Sequence, residues 1–227
     1  MEPWAIVPLS PTVDPATVFS PTAGEAPLIR VVRSVRSLLA DARIVVATVP
    51  ELASAARVCL HQADLDAVAV AVAREGGSRG QVLAAGLEHL GVERHSSAPV
   101  LVCDVCHPLS PSEVAGRVIA ALRGGRDVVV PTLPVTDTVK TVDDSGSVLA
   151  TVDRSTLRTV QYPRGFRASA LWDLVSGPSV ADGGDEFARA MCTSLDIGTV
   201  DGDANAFQVE LPRDAPLLQA IIACRPG

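Results

Sequence analysis

The residues of this chain best suited to chemistry gather in Pro99-Val-Leu-Val-Cys-Asp-Val-Cys-His-Pro108, where an apolar run breaks off at Asp104 and His107 follows. A buried parallel strand that ends in this way delivers a carboxylate to the rim of a sheet, a place where nucleotides and their metal ions are met. Asp104 is thus a candidate metal ligand, with the capping of its own turn as the plain alternative. Cys103 and Cys106 form a Cys-x-x-Cys pair, but no second pair accompanies it, which favours buried structural thiols over zinc. Two further groups stand out. Glu75-Gly-Gly-Ser-Arg-Gly80 is a glycine-rich turn that carries Arg79, and Lys140 is the only lysine of the chain.

Several elements must position these residues. The chain has 227 residues, 48% of them hydrophobic and only 3% aromatic, so its core must be built from Val, Ala and Leu. Such a core suits parallel strands covered by helices on both faces. Strands are predicted at Trp4–Pro8, Arg43–Thr48, Asp66–Val72, in the run up to Asp104, and at Asp127–Pro131. Helices are predicted between them. Leu28, Val32, Val35 and Leu39 mark one helix face, with Arg30, Arg33 and Arg36 read as its solvated side. Another helix begins after Pro50, and one follows the glycine-rich turn. A further helix takes Ser110 as N-cap, Pro111 at N1 and Glu113 at N3, and stops at Gly124-Gly125. The segment Leu9–Pro27, with Pro11, Pro15, Pro21 and Pro27, is predicted as a long loop without helix.

After Pro131 the pattern changes. Thr136–Val142 and Val148–Val152 alternate around Asp143-Asp-Ser-Gly146, and Arg158–Tyr162 closes the excursion. This predicts a hairpin arm over 134–162, too small to be stable alone and so packed on a partner subunit. Helices at Arg167–Val175, Asp185–Cys192 and Arg213–Ala223 and strands at Ser194–Val200 and Ala206–Glu210 complete the prediction, with a loop at Val180–Gly184. The expected fold class is α/β: one domain over 1–227, a doubly wound, mostly parallel sheet with a protruding β-arm.

A net charge of −7 and an isoelectric point near 5.0 argue against nucleic acid and anionic membrane surfaces as partners. No apolar stretch reaches the ~20 residues of a membrane span. The N-terminus shows no basic and apolar signal-peptide pattern, and the five cysteines form no framework, so a cytoplasmic location is expected.

The order of these features resembles the 2-C-methyl-D-erythritol 4-phosphate cytidylyltransferase family, from about Trp4 to Ala223. Val102-Cys-Asp-Val-Cys-His-Pro108 is similar to that family's Val-His-Asp-Ala-Ala-Arg-Pro. Val135-Thr-Asp-Thr-Val-Lys140 resembles its Asp-Thr-x-Lys, and Thr151-Val-Asp-Arg-Ser155 its Thr-Val-Asp-Arg-Asn. Gln161-Tyr-Pro-Arg-Gly-Phe166 resembles its Thr-Pro-Gln-x-Phe, and Val200–Phe207 the approach to its late lysine. The resemblance implies a Rossmann-like nucleotidyltransferase, or glycosyltransferase-A-like, fold. It also implies a reaction that joins CTP to a sugar-alcohol phosphate with magnesium and releases pyrophosphate.

By the same resemblance, Asp104 is the metal candidate. Gly76, Gly77 and Arg79 are what remains of the nucleotide side, and Thr138, Lys140 and Arg154 would hold the substrate phosphate across a dimer. The family's phosphate loop, Ala-Ala-Gly-x-Gly-x-Arg…Pro-Lys, has no counterpart: Pro8–Pro27 contains no Gly-x-Gly, Arg or Lys, and carries Asp14 and Glu25. Gln208 stands at the late lysine, and His107, only partly charged, at the arginine. The expectation is a diverged homologue with little or no cytidylyl transfer, no confident catalytic residue, and a role as a dimeric binding or regulatory protein. Its partner would be a second copy or an active paralogue, and a small phosphorylated polyol its ligand. Two rival readings stay open: a working nucleotidyltransferase with a rebuilt phosphate site and magnesium, and an interaction domain without ligand or cofactor.

Overall fold

The structure, a computed structural model, describes residues 1–74, 77–177 and 184–224. The first half contains strand β1 (Trp4–Leu9), helices α1 (Pro15–Phe19) and α2 (Pro27–Arg36), β2 (Ile44–Thr48), α3 (Pro50–Gln62), β3 (Ala69–Val72), α4 (Arg79–His89) and β4 (Pro99–Val102). The second half contains α5 (Ser112–Arg123), β5 (Val128–Pro134), β6 (Val139–Val142), β7 (Val148–Val152), β8 (Arg158–Val160), β9 (Arg164–Arg167), α6 (Ala168–Ser176), α7 (Glu186–Met191), β10 (Ile197–Asp201) and α8 (Ala215–Ala223).

The main sheet runs β10-β5-β9-β4-β1-β2-β3, with β8 paired to β5. The apolar runs of β1, β2 and β4 are buried almost end to end, as strands covered on both faces must be. β1 pairs parallel with both β2 and β4. The chain thus leaves β1 toward β2 and β3, then returns to β4 on the other side. This reversal of strand order opens a crevice beyond the carboxyl ends of β1 and β4.

The sheet is mixed, because β9 lies antiparallel between β4 and β5. This strand was not expected, since Arg164-Gly-Phe-Arg167 presents only one large apolar residue, the wholly buried Phe166. The predicted arm also divides: β8 turns back to pair with β5, so the arm proper is the two-stranded sheet β6–β7. The arm's Val142, Val148 and Leu149 are exposed.

Local chemistry explains the helix starts. Proline occupies the first turn of α1, α2 and α3, where its fixed φ suits the helix and its missing N–H costs nothing. That corrects the reading of Leu9–Pro27 as helix-free: Pro15 opens α1, and the Asp14 side chain caps it by accepting the Ala16 N–H at 2.9 Å. α4 begins with a capping box made by Ser78 and Gln81. It lies so close to the sheet that a Cβ at Gly86 would stand 2.9 Å from Ile6 Cγ2 and 3.2 Å from Ala47 Cβ.

Three other expectations are corrected. Ser110 does not cap α5. Pro111 holds the cap position, and the Ser110 hydroxyl donates instead to the Tyr162 carbonyl at 2.8 Å. Residues 206–210 form no strand. Only the Val209 N–H reaches the main body there, donating to the Cys106 carbonyl at 2.8 Å, while Val209 packs with Leu109, Leu211 and Leu218 in a small separate cluster. The third concerns α2, taken up with the site below. The expected loop at Val180–Gly184 lies mostly outside the described residues. Among the described residues no helix is long and apolar enough to cross a membrane.

Candidate functional site

Asp104 stands two residues beyond β4, at the crevice where strand order reverses. It does not end the strand, as expected, but belongs to the turn that follows. Its carboxylate accepts the Cys106 N–H at 2.8 Å, and its carbonyl accepts the His107 N–H at 3.0 Å. The side chain is nonetheless half-buried and lines a cleft of about 480 Å³. Ser10 and Thr12 come to this cleft from the segment after β1, Ser78 and Arg79 from the start of α4, and Asp185 from the start of α7. Gly77 makes the turn into α4 so tightly that a Cβ there would lie 2.8 Å from the Arg74 carbonyl. Gly76 lies outside the described residues.

The cleft's cations are already engaged. Arg79 meets Glu186 side-on, Nε to Oε2 at 2.8 Å and Nη2 to Oε1 at 3.1 Å, and its Nη2 also donates to the Tyr162 hydroxyl at 3.4 Å. The Glu186 side chain is 2% exposed and that of Arg79 25%. Burial opposes the charge on Arg79, but the Glu186 carboxylate overrides it and raises the pKa. Arg164 pairs with Asp185 and lies over the ring of Tyr162, 4.2 Å from its centroid. Although burial opposes its charge, the Ala188 N–H and Arg164 hold the Asp185 carboxyl below the usual range.

His107 is no partial substitute for an arginine. It is 7% exposed and packs on Tyr162 with ring centroids 4.9 Å apart. Burial pulls its pKa down to about 4 against the pull of Asp104, with Arg164 adding to the fall. It is therefore neutral near pH 7. Burial and Asp104 likewise push the Cys103 and Cys106 thiols up to about 12, so neither is a thiolate.

The segment that should cradle phosphates is folded onto itself and its neighbours. The Arg30 guanidinium, expected to be solvated, instead donates to the carbonyls of Thr22 and Ala23 at 3.0 and 3.2 Å and pairs with Glu25. Arg33 also pairs with Glu25. Thr17 Oγ1 donates to the Leu211 carbonyl at 3.2 Å. Arg30 and Arg33 of α2 thus anchor this segment to the protein.

The model of the 2-C-methyl-D-erythritol 4-phosphate cytidylyltransferase family matches residues 14–224. The chain belongs to this family. A relative bearing the family's name from Nocardia farcinica is 40% identical over 124 residues, covering 54% of this chain and 52% of that protein. Against this relative the chain spans about half the length. One from Frankia casuarinae is 33% identical over 212 residues, 90% of this chain and 73% of the relative. A solved 4-diphosphocytidyl-2C-methyl-D-erythritol synthase superposes with a TM-score of 0.77 at 23% identity, covering 97% of this chain and 98% of that one, which shows a shared fold.

Within the family frame the structure brings Arg79 and Asp104 to one cleft, while Thr138, Lys140 and Arg154 stand on the arm. Thr138 and Lys140 are exposed, Lys140 donating to Thr151 Oγ1 at 2.6 Å and Arg154 to the Thr136 carbonyl. Gln208 is exposed. Magnesium binds through one or two carboxylates and keeps the rest of its shell for water and phosphate. Asp104 fits that mode only with a nucleotide, since the described residues hold no group of three or more acidic, His or Cys side chains placed to hold a metal ion. Glu186, Asp185, Tyr162 and Arg164 were missed as site residues. Their sole sequence signal was the acid pair opening a helix, which reads equally well as capping.

Proposed function

We propose that this chain is a family member in which cytidylyl transfer is lost or very weak, and that it persists as a dimeric binding or regulatory protein. One observation carries this reading: among the described residues lining the cleft, Arg79 is matched to Glu186 and Asp185 to Arg164, which leaves Asp104 in excess. The family's reaction brings two anions together, so it needs cationic walls and donors placed where charge develops. At an effective dielectric of ~20, two like charges ~5 Å apart repel by about 3 kcal/mol. Magnesium carried by Asp104 would supply part of the missing positive charge but replaces neither the loop nor the late lysine. Losing even one transition-state donor costs ~10²–10³ in rate.

The substrate-phosphate side is better kept. Thr138, Lys140 and Arg154 stand on the exposed arm and would face the cleft of a second copy. The test is pyrophosphate release from CTP, magnesium and 2-C-methyl-D-erythritol 4-phosphate, with the Frankia casuarinae relative alongside. We expect a rate at least ~10³-fold below that relative. A rate within tenfold of it would show a rebuilt phosphate site and sink the proposal.

A further inference from the structure

Around Asp104 the cleft keeps hydrogen-bonding capacity that no group among the described residues takes up. Ser10, 9% exposed on the cleft wall, has no partner for its hydroxyl among the described residues. A carboxylate offers about four acceptor sites. Among the described residues, Asp104 gives its own to the Cys106 N–H and thiol. Thr12 and Ser78 add hydroxyls to the same wall, while Pro8, Pro11 and the Val105 side chain give it apolar surface. The volume of about 480 Å³ lies within the range of small-molecule sites.

We infer that this cleft takes an uncharged, hydroxyl-bearing molecule of nucleoside size, held through Asp104 and Ser10, in preference to the triphosphate of such a molecule. This rests on the reading that the phosphate-binding walls are lost. A ligand hydroxyl donates to Asp104 in a charge-assisted bond, which is shorter and stronger than a neutral one. A phosphate placed there meets Asp104, while Arg79 is already matched to Glu186 and Asp185 to Arg164. Selection against the anion therefore follows from which charges are paired, not from size.

Calorimetric titration of the full chain tests this with cytidine, with erythritol and with CTP plus magnesium. Asp104→Asn is the variant, because asparagine keeps the acceptor for the Cys106 N–H and so the turn. The expected result is that cytidine or erythritol binds at least tenfold more tightly than CTP with magnesium, and that Asp104→Asn weakens that binding about tenfold. Tighter binding of CTP with magnesium than of cytidine overturns this inference and the loss of the phosphate site together. No heat from either neutral probe, with CTP also flat, overturns the inference alone and leaves the lost transfer standing. Unchanged cytidine affinity in Asp104→Asn overturns the role of Asp104.

Discussion

The cleft and the arm carry the same kinds of cation and treat them in opposite ways. At the cleft Arg79, and behind its Asp185 the guanidinium of Arg164, are largely withdrawn from water and each is paired with a carboxylate. On the arm, Lys140 and Arg154 are exposed and, among the described residues, hold a hydroxyl and a backbone carbonyl. Burying a guanidinium costs several kcal/mol unless a counter-ion comes with it. The counter-ion that makes burial tolerable also cancels the charge a ligand would have felt. Water screens an exposed cation, yet leaves it available to an incoming phosphate. On the proposed reading, anion recognition persists on the arm while the cleft, with Arg79 matched to Glu186, gives it up.

The strongest way to break this comparison is to remove one partner of the buried pair. Glu186→Ala leaves Arg79 beside Tyr162 without its carboxylate. We expect a loss of about 3–5 kcal/mol of stability in urea unfolding. A loss below 1 kcal/mol would mean that the pair is solvated and Arg79 available. His107 gives a smaller test with a defined sign. Its folded pKa, about 4, lies below the ordinary 6.5, so between these values the unfolded chain binds more protons and stability falls as pH drops. The contribution is complete above pH 6.5 and is lost toward pH 4. It amounts to on the order of 3 kcal/mol. Stability measured at pH 7 and 4.5 should differ less in His107→Phe than in the natural chain. An equal difference would place the acid sensitivity elsewhere.

The sheet was legible because its residues are buried for one reason only. Val, Ala and Leu runs bounded by proline and glycine mark β1, β2, β4 and β5, and Leu28, Val32 and Val35 gave α2 its inner face, whereas Leu39, expected on it, lies beyond the helix end at Arg36. The charged cleft was less legible because a buried ion pair joins residues far apart in the chain. Nothing near Arg79 announces Glu186, 107 positions away, or shows that α2 uses Arg30 to hold Thr22 and Ala23. Prolines misled in the other direction: four within one segment looked like a barrier to helix, whereas Pro15 sits where a helix begins. The strand β9 was hidden because its neighbours β4 and β5 supply the apolar surface that buries Phe166.

The smallest expected effect on stability is the one that sharpens the comparison most. Lys140→Ala and Arg154→Ala remove exposed groups whose bonds go to Thr151 and Thr136 within the arm. Exposed substitutions of this kind change stability by no more than ~0.5 kcal/mol. Hydrogen bonds to charged groups are worth about 1.5–3 kcal/mol, or roughly a tenfold or larger change in affinity. Titration with 2-C-methyl-D-erythritol 4-phosphate should therefore show each variant binding at least about tenfold more weakly while unfolding at the same urea concentration. If both variants bind as the natural chain does, the arm's cations are structural. If both unfold early, they support the hairpin itself, and the contrast between a silenced cleft and an available arm fails.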